Sequence, residues 1–315
     1  MSEEGNLGVV EYLASITGEF DRAYFAANKA RAKGLDPESI VEIPAANDLV
    51  DRVEKLVGPV GVSVELNDLM KRMSRETAAF EISKLIMEGR YSDDKTALDS
   101  PALTVREKEK RIEQAVRTGL ALATEAIVSA PIEGVTKVQI RKNADSSDYA
   151  AVFFSGPIRG AGGTGQAFTL LIADYCRKMA KIADYRPSDT EVERYVEESN
   201  LYAMRTRAGQ YVPTEDEVRH IMRNCPVCVD GEPTEHYEVG NHKNVPSIPT
   251  NKVRGGMCLV LSEGVCLKAS KVMKIAKKSG GLDWSWLEKL VKVTKKDEKA
   301  TQIKPSKKYI DEIVA

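Results

Sequence analysis

No stretch of eighteen apolar residues occurs in the 315-residue sequence, so no segment has the length of a membrane-crossing helix. The opening, MSEEGNLGVVEYL, lacks the basic and apolar regions of a secretory leader, which argues against export. Cysteines number five, an odd and scattered set, and this predicts free thiols in a reducing cytoplasm rather than a disulfide framework. Histidines are only His220, His236 and His242, and neither H-E-x-x-H nor G-x-S-x-G is present. The metalloprotease and serine-hydrolase signatures are therefore missing. Aromatic residues make up only 6%.

What is present is an ordinary globular balance, 42% hydrophobic and 30% charged, on a chain long enough to bury a core without staples. The net charge of -1 hides a gradient. Residues 1–100 sum to -7, residues 101–200 to zero and residues 201–315 to +6. Between Lys268 and Lys308 the local sum is +9. An acidic front and a basic back predict different partners for the two ends, and the basic end is compatible with nucleic acid.

Abundant alanine, lysine and glutamate favour helices. The spacing predicts helices over residues 21–33, over 47–57 with Asn47 as N-cap, and one or two over 64–87. Thr104 and Glu107 form a capping box for a helix running to about Ser129. The period then changes. KVQIRK and DYAAVFFSG flank the polar turn NADSSD and predict a β-hairpin near residues 137–156. Helices follow over 166–181, at RPSDTEVERYVEE and at VPTEDEVRHIMRN, the last two announced by Ser188/Glu191 and Thr214/Glu217. Residues 226–241 mix turn and strand signals, and a helix resumes over 254–278. Asp283 is placed to cap a short helix at WSWLEKLVKV. The expected class is α+β, mostly helical with a small antiparallel sheet. The expected regions are an acidic helical lobe over 1–100, an α+β lobe over 101–294, and a basic linker over 295–315 opening a further region, with YSDDKTALDSP as the first linker.

The stretch FFSGPIRGAGGTGQAF contains G-x-G-x-x-G at Gly160, Gly162 and Gly165. A dinucleotide site needs a strand running straight into the first glycine and a ribose-binding acid on the next strand. Here Gly156–Arg159 intervenes, and Asp184, at the right distance, follows no strand. Nor does a Lys-Ser/Thr pair complete a P-loop. The glycines read better as clearance for a backbone crossing, with Arg159 as a candidate phosphate contact. Cys225 and Cys228 have C-x-x-C spacing with His236 and His242 downstream, but only seven residues separate the pairs, against the usual dozen or more. No metal site is assigned there, and no carboxylate cluster suggests catalysis. The remaining candidate DNA contacts are Arg254, Lys268, Lys271, Lys274 and Lys278, with Lys277 broadening the face. Trp284 and Trp286 read as packing anchors before base-stacking platforms.

Several blocks taken together resemble a known family. FFSGPIRGAGGTGQAFTLLIADYCRK, ADYRPSDTEVERYVEE, VPTEDEVRHIMRNCPVCVDGEPTE and TNKVRGGMCLVLSEGVCLKASKV, with the opening GVVEYLASITGEFDRAYFAANKARAKGLDP, resemble the N-terminal part of the large subunit of archaeal family-D DNA polymerase. The resemblance implies a replicative, DNA-templated polymerase built from a large subunit and a small 3′–5′ exonuclease subunit. It implies nucleotidyl transfer, with Mg2+, on a double-psi β-barrel whose acidic motif has no counterpart here. No catalytic residue can therefore be assigned to these residues, and no cofactor is expected within them. What it implies for them is an accessory, non-catalytic role in subunit assembly and DNA contact, with self-association as a further option, in a cytoplasmic, nucleoid-associated setting. The break at Ala315, in mid-pattern after Tyr309, Ile310, Ile313 and Val314, fits a region that continues. Two other classes stay open: a protein-interaction scaffold without DNA contact, and a nucleotide-binding enzyme using the glycine loop.

Overall fold

The computed structural model describes residues 3–36, 45–92, 103–206, 209–279 and 281–291. They belong to two compact units, Met1–Ala45 and Ala46–Ala315. The division falls ahead of the 100/101 boundary expected from the acidic front and the YSDDKTALDSP linker. The reason is packing: apolar residues from Val50 to Met87 join the same hydrophobic core as those from Ile112 to Leu290. The basic linker over 295–315 and most of YSDDKTALDSP lie outside the described residues.

The described residues of the first unit contain one long helix, α1 (Glu3–Ala32), which begins well before the predicted residue 21. It ends at Gly34, whose φ of 68° lets the Leu35 amide donate back to the Ala30 carbonyl. Val9, Leu13, Ile16 and Phe20 recur at spacings of four, three and four, and all are 45–56% exposed.

The second unit opens with α2 (Leu49–Leu56), α3 (Val62–Arg72) and α4 (Arg75–Met87). The cap of α2 is Asp48, not Asn47. The Asp48 carboxylate accepts from the Asp51 amide at 2.8 Å, while Asn47 donates its own amide back to Asp51. α5 (Val105–Ala123) carries the predicted capping box but stops short of Ser129. Glu125 and Ala126 both take positive φ, and the Ala126 amide turns back to the Ala121 carbonyl. Neither glycine nor proline marks that stop.

The hairpin is β1 (Val135–Lys142) paired antiparallel with β2 (Asp148–Phe154), Lys142 opposite Asp148. Asn143 anchors the turn, donating to the Asp184 carbonyl and accepting from the Arg186 amide. A third strand, β3 (Cys228–Gly231), joins β2 in parallel, so the sheet is mixed rather than wholly antiparallel. Parallel pairing needs a long crossover, supplied here by α6 (Gly162–Met179), α7 (Asp189–Thr206) and α8 (Glu215–Asn224).

The outer edge of β1 is satisfied by side chains. Glu109 and Glu113 of α5 accept from the amides of Ile140 and Val138, and Arg117 donates to the Thr136 carbonyl. Residues four apart along one helix face thus replace a neighbouring strand and cover an edge that would otherwise invite pairing.

α6 is the central helix, buried from Gly165 to Ala173, with Phe168 edge-on to Phe80 of α4 at 5.3 Å. The chain closes with α9 (Gly255–Leu259), a π-helical turn over Val260–Cys266, and α10 (Leu267–Lys278). Among the described residues no helix is long and apolar enough to cross a membrane.

Candidate functional site

The glycine stretch becomes a crossing from sheet to helix. β2 ends at Phe154, a 3-10 turn covers Gly156–Ala161, and α6 starts at Gly162. Two glycines are required by close approach. A Cβ at Gly163 would lie far inside contact distance of the Glu263 carbonyl oxygen, and one at Gly256 would meet the Phe154 carbonyl carbon at 2.5 Å. The glycines therefore seat the π-helical turn on α6 and α9 on the end of β2, more than they seat the hairpin on α6.

That packing bears on the dinucleotide reading. β2, α6 and the parallel β3 superficially reproduce a βαβ unit, with Asp230 at the end of β3 in the place of a ribose-binding acid. α9 occupies the strand ends, and Asp230 is already held by Arg254 at 2.5 Å and Arg141 at 2.9 Å. A pyrophosphate would have to displace backbone.

Arg254 is corrected as a DNA contact. It is 1% exposed, at the centre of a buried ion network. Its Nη2 donates to Glu198 Oε1 at 2.8 Å, and its backbone amide to Glu198 Oε2 at 3.0 Å. Arg194 donates to the same carboxylate at 2.7 Å and to the carbonyls of His242 and Thr250. Burial disfavours the Arg254 charge, yet Tyr195, Glu198 and Asp230 outweigh it and hold its pKa well above the ordinary value.

Arg159 sits at the surface, its side chain 42% exposed, and pairs at 3.1 Å with Glu263, whose side chain is 3% exposed. Glu263 also accepts from the Gln210 amide at 3.0 Å. On α10, Ala269, Val272, Ile275 and Ala276 face the core. Lys271, Lys274, Lys277 and Lys278 are exposed, while Lys268 is half-buried with its Cγ beside Gly163. Lys271, Lys274 and Lys278 share one helical face. Trp284 is buried and donates to Asp174 at 2.8 Å, and its ring stacks 5.2 Å from Trp286. Trp284 belongs to the core, and Trp286 packs against it half-buried.

Cys225 and Cys228 are buried, and burial pushes both thiols up to about 12. The downstream His242 is tied to Glu197 instead, Nδ1 to Oε2 at 2.9 Å. Burial pushes the Glu197 carboxyl up, but the amides of Asn241, His242 and Gly240 outweigh that and hold it at about 2. Among the described residues no three histidines, cysteines or acids converge on a point where a metal could sit.

Sequence reasoning missed Glu263, Glu198 and Asp230. One signal was legible: Glu263 is a lone acid within the apolar run CLVLSEGVCL, and a charge in such a run demands a buried partner.

Residues 11–293 match the family model described as DNA polymerase II large subunit DP2, N-terminal. The chain belongs to that family. It is 46% identical over 310 residues to a DNA polymerase II large subunit of Methanosarcina barkeri, 44% over 302 residues to one of Thermococcus kodakarensis, and 42% over 308 residues to one of Archaeoglobus fulgidus. The alignments cover 97%, 95% and 96% of this chain but only 26%, 16% and 26% of those relatives. The chain thus spans about a quarter or less of their length. The match runs from within α1 through the hairpin and the glycine crossing to beyond α10.

Proposed function

We propose that these residues are a non-catalytic part of an archaeal DNA polymerase large subunit, holding DNA through its phosphates and supporting assembly with a small exonuclease subunit. Nucleotidyl transfer, and the Mg2+ it uses, belong on this reading to parts of the relatives beyond the matched span. The observation that carries the DNA contact is the exposed Lys271, Lys274 and Lys278 face of α10. Lysines at that spacing neutralise phosphates without reading base edges, so binding is weakly sequence-selective and salt-dependent. Anisotropy titration of a duplex oligonucleotide at low and moderate salt tests this. Replacing the three lysines with alanine is expected to weaken binding about tenfold and to flatten the log–log salt slope by about 2 to 3. Unchanged affinity and slope in the triple variant would remove α10 from the interface.

A second reading, protein assembly, rests on α1. Its Val9, Leu13, Ile16 and Phe20 seam, with Phe25 70% exposed beyond it, is a larger apolar face than a lone helix keeps in water. Such a seam fits another helix, from the small subunit or from a second copy. Light scattering of the Leu13→Glu/Phe20→Glu chain, alone and with the small subunit, is expected to show loss of association. Masses equal to those of the parent chain in both mixtures would leave α1 without an assembly role.

A further inference from the structure

The pairing of Arg159 with Glu263 has an asymmetry that the DNA reading alone does not use. The guanidinium is half in solvent, while the carboxylate is nearly wholly buried. Glu263 lies in the π-helical turn between α9 and α10, a backbone form that recurs at functional positions. Its carboxylate is met by Arg159 from the crossing before α6 and by the Gln210 amide from the segment before α8. Its carbonyl is wedged against Gly163, so the main chain at Glu263 cannot follow Arg159 outward. A phosphate oxyanion arriving at Arg159 would have to share or take the guanidinium, leaving a buried carboxylate short of its counter-charge.

We propose that Glu263 is an internal competitor for the phosphate site at Arg159, an autoinhibitory contact that holds down the affinity of this corner for phosphate oxyanions. The buried acid holds one corner of the guanidinium, Nη2 to Oε1 at 3.1 Å, and a phosphate seeks charge-assisted hydrogen bonds from the same group. Only the source of the phosphate, a DNA backbone, rests on the reading above. The competition itself is a property of the pair. It also ranks the candidate contacts: Arg159 binds a phosphate against the pull of the buried Glu263, and the exposed lysines of α10 do not.

Inorganic tripolyphosphate, titrated calorimetrically into the 315-residue chain at fixed ionic strength, is the probe. Glu263→Gln keeps an oxygen for the Gln210 amide and removes the competing charge. It is expected to bind tripolyphosphate about tenfold more tightly than the parent. Arg159→Ala is expected to weaken tripolyphosphate binding far more in the Glu263→Gln background than in the parent, a non-additivity that a purely structural role would not produce. Equal or weaker binding by Glu263→Gln overturns the proposal, as does a gain that survives Arg159→Ala. Should Glu263→Gln fail to fold by circular dichroism, Glu263→Asp, which retracts the carboxylate by one methylene, carries the same comparison. A duplex oligonucleotide as second probe separates the two readings. If Glu263→Gln gains affinity for tripolyphosphate while every variant ignores the duplex, the competition stands and DNA binding falls.

Discussion

Glu198→Ala is expected to lower stability by about 3–5 kcal/mol, measured as a shifted urea midpoint with an unchanged denaturant slope. The carboxylate it removes is fully buried and is the shared partner of Arg194 and Arg254, which are 0% and 1% exposed. Once it is gone, Arg254 keeps only Asp230 as a counter-charge, and Asp230 is already engaged by Arg141. Arg194 keeps the carbonyls of His242 and Thr250, which satisfy hydrogens but not charge. The cost is that of stranding two buried cations, so it exceeds the loss of any single hydrogen bond. Glu198→Gln, which keeps one acceptor but no charge, is expected to fall between. A loss below about 1 kcal/mol for Glu198→Ala would mean that water reaches the guanidiniums and the network is not sealed.

That network also shows where sequence reading stops. Local signals were legible because they are made by neighbours in the chain. The capping boxes at Thr104/Glu107 and Thr214/Glu217 form as written, and Ser188 with Glu191 exchanges the same reciprocal bonds. The NADSSD turn and its flanking alternation produce the hairpin in the expected place. Arg254 was misread because nothing local distinguishes a surface arginine beside two glycines from one buried by Glu198, 56 residues earlier, and Asp230, 24 residues earlier. β3 was hidden for a similar reason. It has four residues, all buried, and no alternation to mark it as the parallel neighbour of β2. The end of α5 eluded pattern because its apolar period continues to Ile127, while tertiary contacts turn the backbone at Glu125 and Ala126. Charge records what faces solvent, whereas the apolar residues of α2–α4 decide which core they join.

Gly163→Ala separates the two possible uses of the glycine crossing most sharply. By helix propensity alone the change should stabilise α6 by up to about 1 kcal/mol, because Gly163 lies inside the helix with no positive φ to defend. Packing predicts the opposite sign. The new methyl would run into the Glu263 carbonyl and lie 3.0 Å from Lys268 Cγ, and the lysine can yield where the backbone of the π-helical turn cannot. The expected net effect is a loss of about 1–3 kcal/mol by thermal or urea melts, with the α9–α10 segment gaining amide exchange before the hairpin does. Gly162→Ala is the control. Its Cβ meets nothing within 4 Å, but its φ of 64° and ψ of 161° strain any side chain, so it should cost about 1–3 kcal/mol and leave the exchange of α9–α10 unchanged. A glycine kept for a bound phosphate would behave differently, with Gly163→Ala sparing stability and abolishing nucleotide binding. Loss of stability together with altered tripolyphosphate affinity at Arg159 would instead place the role of Gly163 in the seat of Glu263, since the same carbonyl contact fixes where that carboxylate can reach.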